Sequence, residues 1–69
     1  MNPTLTTENA EHGLTIRHLL HREWGTFTLK WDGHYWNRYN TARGYVALLE
    51  DEFMFWIILK PACPTGETE

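Results

Sequence analysis

The chain has one cysteine, Cys63, in 69 residues, and this shortage excludes the covalent means by which many small domains are stabilised. A single thiol cannot form a disulfide within the chain, and it is typical of a reducing compartment. Structural zinc sites typically need four cysteine or histidine ligands that are clustered in the sequence. The four histidines of this chain are not clustered in that way. The sequence therefore predicts no disulfide, metal or other cofactor.

Basic residues are also scarce, because six Lys and Arg stand against nine Asp and Glu, giving a net charge of −3. Duplex DNA binding depends on neutralising phosphates, so this balance disfavours it. The longest apolar run, residues 53–59, is far shorter than the ~20 residues of a membrane helix. The first residues contain neither the basic nor the apolar region of a signal peptide. We therefore expect a cytoplasmic protein with no membrane partner.

Catalytic motifs are missing as well. The sequence contains no Gly-rich phosphate loop and no Ser/His/Asp pattern. His18 and His21 have a spacing that would let both contact one metal ion on a helix, but catalytic zinc usually needs a third protein ligand. Glu50, Asp51 and Glu52 are consecutive, and consecutive carboxylates in a turn point in different directions. We predict that the protein is not an enzyme.

Aromatic residues are abundant: four Trp, three Tyr and three Phe, all between Trp24 and Trp56. Residues 24–39 alternate about Asp32-Gly33, which is a favoured pair for a two-residue hairpin turn. That turn predicts that Trp31 pairs with His34 and Leu29 with Trp36. One face of the hairpin is then apolar: Phe27, Leu29, Trp31 and Trp36, with His34 and Arg38 at its ends. The other is amphipathic: Thr26, Thr28, Lys30, Tyr35, Asn37 and Tyr39.

The segment before the hairpin has the features of a short helix. Thr15 is placed as an N-cap, Leu14 and Leu19 as a hydrophobic staple, and Gly25 as the residue after the last turn. Ile16, Leu19, Leu20 and Trp24 form one apolar stripe at helical spacing. The alternative is a strand in which Leu14, Ile16, His18 and Leu20 alternate. We prefer the helix, because the cap, staple and stop signals agree.

Two apolar segments follow the hairpin, residues 45–50 and 53–60, on either side of the acidic turn at Glu50, Asp51 and Glu52. The second is rich in aromatic and β-branched residues, which favours a strand, and Pro61 ends it. The first could be a short helix instead, but we prefer a second hairpin. The last strand is apolar on both faces, with Met54, Trp56 and Ile58 on one of them.

These segments predict an α+β fold, in which a short N-terminal helix packs on a four-stranded antiparallel β-meander. The compact domain covers residues 14–60. Residues 1–13 are expected to form a flexible N-terminal arm, and residues 61–69 a disordered acidic tail. One helix covers only one face of a sheet, so the other face is free for a second chain.

The function that this pattern favours is that of a small protein-binding module, an inhibitor or adaptor of the bacterial or phage accessory type. The partner is another protein, or a second copy of the chain in a homodimer. Trp and Tyr are common at interface hot spots, and acidic residues suit a basic partner surface. The candidate contact residues are Lys30, Tyr35, Tyr39, Glu50, Asp51, Glu52, Met54 and Trp56.

The alternative is a regulatory module that binds single-stranded nucleic acid or an operator. Tyr35, Tyr39 and Lys30 would form an aromatic sheet face on which bases stack. A second candidate surface is the predicted helix face that carries Arg17, His18, His21 and Arg22. Nucleic acid ranks below protein as a partner because cations are few.

Overall fold

The computed structural model of the protein describes residues 2–62, which contain a five-stranded antiparallel sheet. The strands are β1 (Thr15–His18), β2 (Thr26–Trp31), β3 (Trp36–Asn40), β4 (Gly44–Ala47) and β5 (Trp56–Lys60). Their order across the sheet is β4-β3-β2-β1-β5. Two 3₁₀ helices, Arg22–Trp24 and Glu50–Phe55, connect them. The prediction of an α+β fold with a four-stranded meander is therefore wrong.

The helix predicted from residue 14 onward is replaced by strand β1. Ile16 pairs with Phe27 of β2 on one side and with Ile58 of β5 on the other, and it is completely buried. The spacing of apolar residues between Leu14 and Leu20 fits both a helix and an alternating strand. Pairing with two neighbouring strands decides between them, because strand formation depends strongly on tertiary context.

The predicted capping contacts of that helix do not form. Leu14 is buried in the core, whereas Leu19, its expected staple partner, is half exposed. The chain turns after β1 and makes one short 3₁₀ helix that ends at Gly25, where φ is +82°. A positive φ suits glycine, so Gly25 does mark the end of a helical turn, although a much shorter one than predicted.

The hairpin of β2 and β3 has the predicted faces but a different register. Trp31 pairs with Trp36, and Leu29 pairs with Arg38, so the loop contains four residues rather than two. The shift moves the partner of each β2 residue by two positions. Because side chains alternate with a period of two, a shift of two leaves every strand residue on its predicted face.

The last segment crosses the molecule instead of forming a second hairpin. The 3₁₀ helix Glu50–Phe55 follows β4, at one edge of the sheet, and leads to β5, which pairs with β1. Leu48 and Phe53, on this connection, are both buried. The connection therefore covers one face of the sheet, which the predicted helix was expected to do.

The described part of the N-terminal segment lies along β5. The backbone N–H of Leu5 donates to the carbonyl of Trp56 at 2.9 Å, and the N–H of Ile58 donates to the carbonyl of Pro3 at 2.9 Å. Thr4 and Ile57 form a bridge between these bonds. Leu5 is only 1 % exposed, so this segment, expected to be a flexible arm, extends the sheet and completes the core. Of the predicted acidic tail, residues 63–69 lie outside the described residues.

The core lies on one face of the sheet, and the other face is open to solvent. The core face receives side chains from the strands and from the segments that cross over it: Leu5, Leu14, Ile16, Phe27, Leu29, Leu48, Phe53, Trp56 and Ile58. On the open face, Thr28, Lys30 and Tyr39 are half-buried and Tyr45 is exposed. Within residues 2–62, no helix is long and apolar enough to cross a membrane.

Candidate binding surfaces

Four large apolar side chains are exposed on the two neighbouring segments where β1 ends and β5 begins; we call them the apolar patch: Leu19, Leu20, Met54 and Phe55. Their exposed fractions are 49, 69, 61 and 41 %. The backbone N–H of Leu19 donates to the carbonyl of Phe55 at 2.7 Å, which holds the two dipeptides side by side. Scattered exposed apolar residues are common, whereas several on neighbouring segments favour a contact surface.

The acidic residues predicted as contacts border the apolar patch. Glu50, Asp51 and Glu52 form the first turn of the second 3₁₀ helix and are exposed. Met54 follows two residues after Glu52, so the three carboxylates lie in the same short element as Met54 and Phe55 of the patch. This arrangement gives the patch an anionic border on that side.

Trp56, a predicted contact residue, is part of the core. It is 2 % exposed, and its ring lies edge-on to Phe27 at a centroid distance of 5.3 Å. The expectation of a second apolar face around Trp56 and Met54 fails because residues 53–55 are helical. Met54 is therefore not on a strand face with Trp56, and only Met54 reaches solvent.

A cleft of about 210 Å³ lies beside the apolar patch, and we call it the Arg38 cleft. Its walls are His18, Trp24, Arg38, Glu52, Phe55 and Trp56. The Arg38 guanidinium carbon lies 5.0 to 5.2 Å from the ring centroids of Trp24, Phe27 and Trp56, within the range of cation–π attraction. Burial is the main factor that lowers the pKa of Arg38, which nevertheless stays charged at neutral pH.

His18 also lines the Arg38 cleft and accepts hydrogen bonds from the local backbone. Its Nδ1 accepts hydrogen bonds from the N–H groups of Leu20 and His21, each at 3.1 Å. Nδ1 therefore carries no proton, and the neutral ring holds its proton on Nε2. Burial, followed by the charges of His21 and Arg38, lowers the pKa of His18. The ring is thus a neutral donor at neutral pH.

Trp24 is held at the cleft by contacts with three other residues, Asn40, His21 and Arg43. Nδ2 of Asn40 donates to the carbonyls of Trp24 and Thr26 at 3.1 and 3.2 Å. The His21 ring stacks on Trp24 at 4.3 Å, and the Arg43 guanidinium lies 5.2 Å from its centroid. These contacts fix the aromatic wall before any ligand binds.

The open face of the sheet gathers some of the other predicted contact residues. The Lys30 ammonium lies 5.1 Å from the centroid of Tyr39 and 5.6 Å from that of Tyr45, and the two tyrosine rings are 4.4 Å apart. Tyr35 is not with them, because it lies in the loop between β2 and β3. The carboxylates of residues 2–62 lie outside the strands, and that of Asp32 reaches this face, where it accepts a hydrogen bond from Nδ2 of Asn37 at 3.0 Å.

The surface of Arg17, His18, His21 and Arg22, predicted as one helix face, does not exist. Arg17 pairs with Thr26 and therefore belongs to the open face, whereas His18 pairs with Trp56 on the core face. Strand alternation separates neighbours that a helix would have placed together.

We also searched the described residues for metal sites and compared the chain with known proteins. Within residues 2–62, no group of three His, Cys, Asp or Glu side chains could hold a metal ion. No protein-family model matches the chain, and no curated protein or solved structure matches it either.

The sequence did not predict the Arg38 cleft, and of the four residues of the apolar patch it predicted only Met54 as a contact residue. Arg38 was placed at the end of the apolar hairpin face, which was the available signal for a cation beside the core. Leu19 and Leu20 were assigned to the buried stripe of a helix. With β1 as a strand that ends at His18, both leucines fall in the turn that follows it.

Proposed function

We propose that the protein is a small cytoplasmic protein-binding module, without enzymatic activity, that acts as an inhibitor or adaptor. The observation that carries this proposal is the apolar patch. Leu20 and Met54 are each more than 60 % exposed and adjoin two further exposed apolar side chains. In a chain this small, where apolar residues are needed for the core, leaving four of them in one exposed group is costly unless a partner covers them.

The chemistry of the surface defines the partner that it suits. The patch would fill an apolar groove, and Glu50, Asp51 and Glu52 would face Lys or Arg at the rim of that groove. Rim charges mainly affect association rate and salt dependence. We therefore expect binding that depends on the apolar side chains and weakens as ionic strength rises.

The test is affinity capture from a lysate of the source organism with three baits: the unaltered chain, a Leu20→Ser and Met54→Ser double variant, and Tyr45→Ser. The third is a matched control, because Tyr45 is similarly exposed and lies on β4, at the other edge of the sheet from β5. We expect the double variant to retain less than about a tenth of the partner, since hot-spot truncations typically cost more than ~1 kcal/mol each. Equal recovery by all three baits would contradict the proposal.

A homodimer is one form of the same proposal, and sedimentation velocity distinguishes it. If the patch binds a second copy, the unaltered chain and Tyr45→Ser sediment as dimers and the double variant as a monomer. If all three are monomers, the partner is another protein.

A second candidate function, single-stranded nucleic-acid binding, is supported by Lys30 between Tyr39 and Tyr45 on the open face. Aromatic stacking contributes about 1–3 kcal/mol per base, and the strands carry no carboxylate that would repel phosphates. Fluorescence anisotropy with labelled single-stranded oligonucleotides at low salt tests it. Micromolar binding that Tyr39→Ala removes and Tyr35→Ala preserves would support this function, whereas no binding by the unaltered chain would exclude it.

A further inference from the structure

We propose that the Arg38 cleft is a binding site for an organic carboxylate attached to a flat, apolar body such as a single aromatic ring. This site is distinct from the protein-binding surface, although Glu52 and Phe55 contribute to both. Three observations support the proposal: the cation of Arg38, the aromatic rings around it and the size of the cleft.

The guanidinium of Arg38 has hydrogen-bonding capacity that the fold does not use. Its surroundings provide cation–π attraction from three rings, and the side chains of Trp and Phe contain no nitrogen or oxygen acceptor for its N–H donors. Within residues 2–62, the recorded ion pair is that of His21 with Glu23, and no side-chain hydrogen bond involves Arg38. Arg38 is half-buried and lines the cleft. A carboxylate in the cleft would accept two parallel N–H bonds from such a group.

The remaining walls select the body of the ligand. Trp24 and Phe55 present most of the aromatic surface, since Trp56 is only 2 % exposed, and aromatic rings prefer offset or edge-on aromatic neighbours. Nδ1 of His18 is occupied by two backbone donors, so Nε2–H is the one donor that its neutral ring can offer to a ligand. A ligand that combines one anionic group with an apolar ring matches these walls.

The size and charge of the cleft exclude larger anions. Drug-sized ligands occupy pockets of roughly 300–1,000 Å³, whereas this cleft measures about 210 Å³. Glu52 also lines the cleft, and its negative charge repels an incoming anion. A nucleotide or other polyanion would be repelled, while a single carboxylate could be balanced by Arg38.

The carboxylate could belong to a free aromatic acid or to the C-terminal residue of a peptide. Benzoate is the probe for the first source and N-acetylphenylalanine for the second. Benzamide and N-acetylphenylalaninamide are their uncharged counterparts with nearly the same shape. Inorganic phosphate and acetate test for general anion binding without an aromatic body.

The experiment is a titration of the ¹⁵N-labelled full chain at constant ionic strength, followed through the indole N–H signals of Trp24 and Trp56 and the Nε–H signal of Arg38. We expect saturable shifts with at least one of the two aromatic carboxylates at millimolar concentration, and none with the amides. Arg38→Gln should weaken binding about tenfold or more, as expected for the loss of a charge-assisted pair. Arg22→Gln removes the same charge outside the cleft and should leave the affinity unchanged.

If Arg38→Gln does not fold, Glu52→Gln provides an independent test of the cleft. Removing the opposing charge should tighten aromatic carboxylate binding several-fold. Equal binding of benzoate and benzamide, the absence of any saturable shift, or tighter binding of phosphate than of either aromatic acid would each overturn the proposal. So would a Glu52→Gln variant that binds more weakly than the unaltered chain.

Discussion

Arg38 pairs with Leu29 across β2 and β3, so a charged side chain shares the core face of the sheet with a completely buried leucine. The hairpin loop decides this pairing. With a two-residue turn, Arg38 would lie opposite Phe27 at the end of the hairpin. With the observed four-residue loop, it lies opposite Leu29, one same-face pair nearer the loop, and its guanidinium carbon lies 5.0 to 5.2 Å from the ring centroids of Trp24, Phe27 and Trp56.

Asp32 is the residue that sets the loop. Its Oδ1 accepts hydrogen bonds from the N–H groups of His34 and Tyr35 at 2.8 and 2.7 Å, and its Oδ2 accepts one from Nδ2 of Asn37 at 3.0 Å. We therefore predict that Asp32→Ala lowers the melting temperature, measured by circular dichroism. Asp51→Ala, which removes an exposed carboxylate from another element, is the control and should have little effect.

The same hydrogen bonds make the loop sensitive to acid. The bonds from Tyr35, then His34 and then Asn37, lower the pKa of Asp32 below 3.8. Its contribution to stability is therefore complete above that value and is lost as the pH falls through the lowered pKa of the folded state. Asp32→Asn should show a flatter decline in urea midpoint over this acid range than Asp51→Asn. If the two variants decline in parallel, the carboxylate of Asp32 does not stabilise the loop.

The N-terminal segment should contribute to global stability, because Leu5 is buried in the core. We expect Leu5→Ala to reduce the free energy of unfolding by about 2–5 kcal/mol, as for other buried leucines. In a domain of this size that loss could leave much of the chain unfolded. Urea denaturation followed by tryptophan fluorescence measures it, with the exposed Thr7→Ala as control. Equal midpoints for the two variants would show that the segment is not part of the cooperative fold.

His18 should make the protein less stable in mild acid. Burial first, then the charges of His21 and Arg38, lower its pKa below 6.5, and protonation of Nδ1 would break its two backbone hydrogen bonds. The stabilising effect of the neutral ring is thus complete above 6.5 and is lost as the pH falls from 6.5 through the lowered pKa.

His18→Asn tests this dependence, because the amide oxygen can replace Nδ1 as an acceptor but does not titrate. Urea midpoints should fall less between about pH 7.5 and about pH 5 in this variant than in the unaltered chain, a range in which histidine is the main group that titrates. His34→Asn, at an exposed position in the hairpin loop, should retain the full decline. A decline in His18→Asn equal to that of the unaltered chain would refute the assignment to His18.

Alternation made the faces of the hairpin predictable, whereas its register depended on side-chain chemistry. Phe27, Leu29 and Trp36 lie on the face that their spacing predicted. The Asp-Gly pair predicted a turn at the correct place but of the wrong length, because the Asp32 carboxylate bonds to two N–H groups further along the chain. A local pattern of turn residues does not distinguish these two uses of aspartate.

The elements that were mispredicted are those whose conformation depends on distant partners. β1 contains only four residues and lies between two strands, one of them about 40 residues away in sequence. Residues 53–55 read as the start of a strand, yet they complete a 3₁₀ helix whose Phe53 fills the core. Both the Arg38 cleft and the apolar patch are formed at the junction of these two segments, so neither site could be assembled from the sequence alone.

Site-specific photo-crosslinking tests the central claim, that the apolar patch contacts a protein partner, most directly. A photoreactive phenylalanine analogue is placed at Leu20 in one variant and at Tyr45, on the strand at the other edge of the sheet from β5, in another. Both are expressed in the source organism and irradiated. We expect a discrete crosslinked protein band from position 20 that is absent from position 45. Crosslinking from position 45 alone, or from neither position, would contradict it.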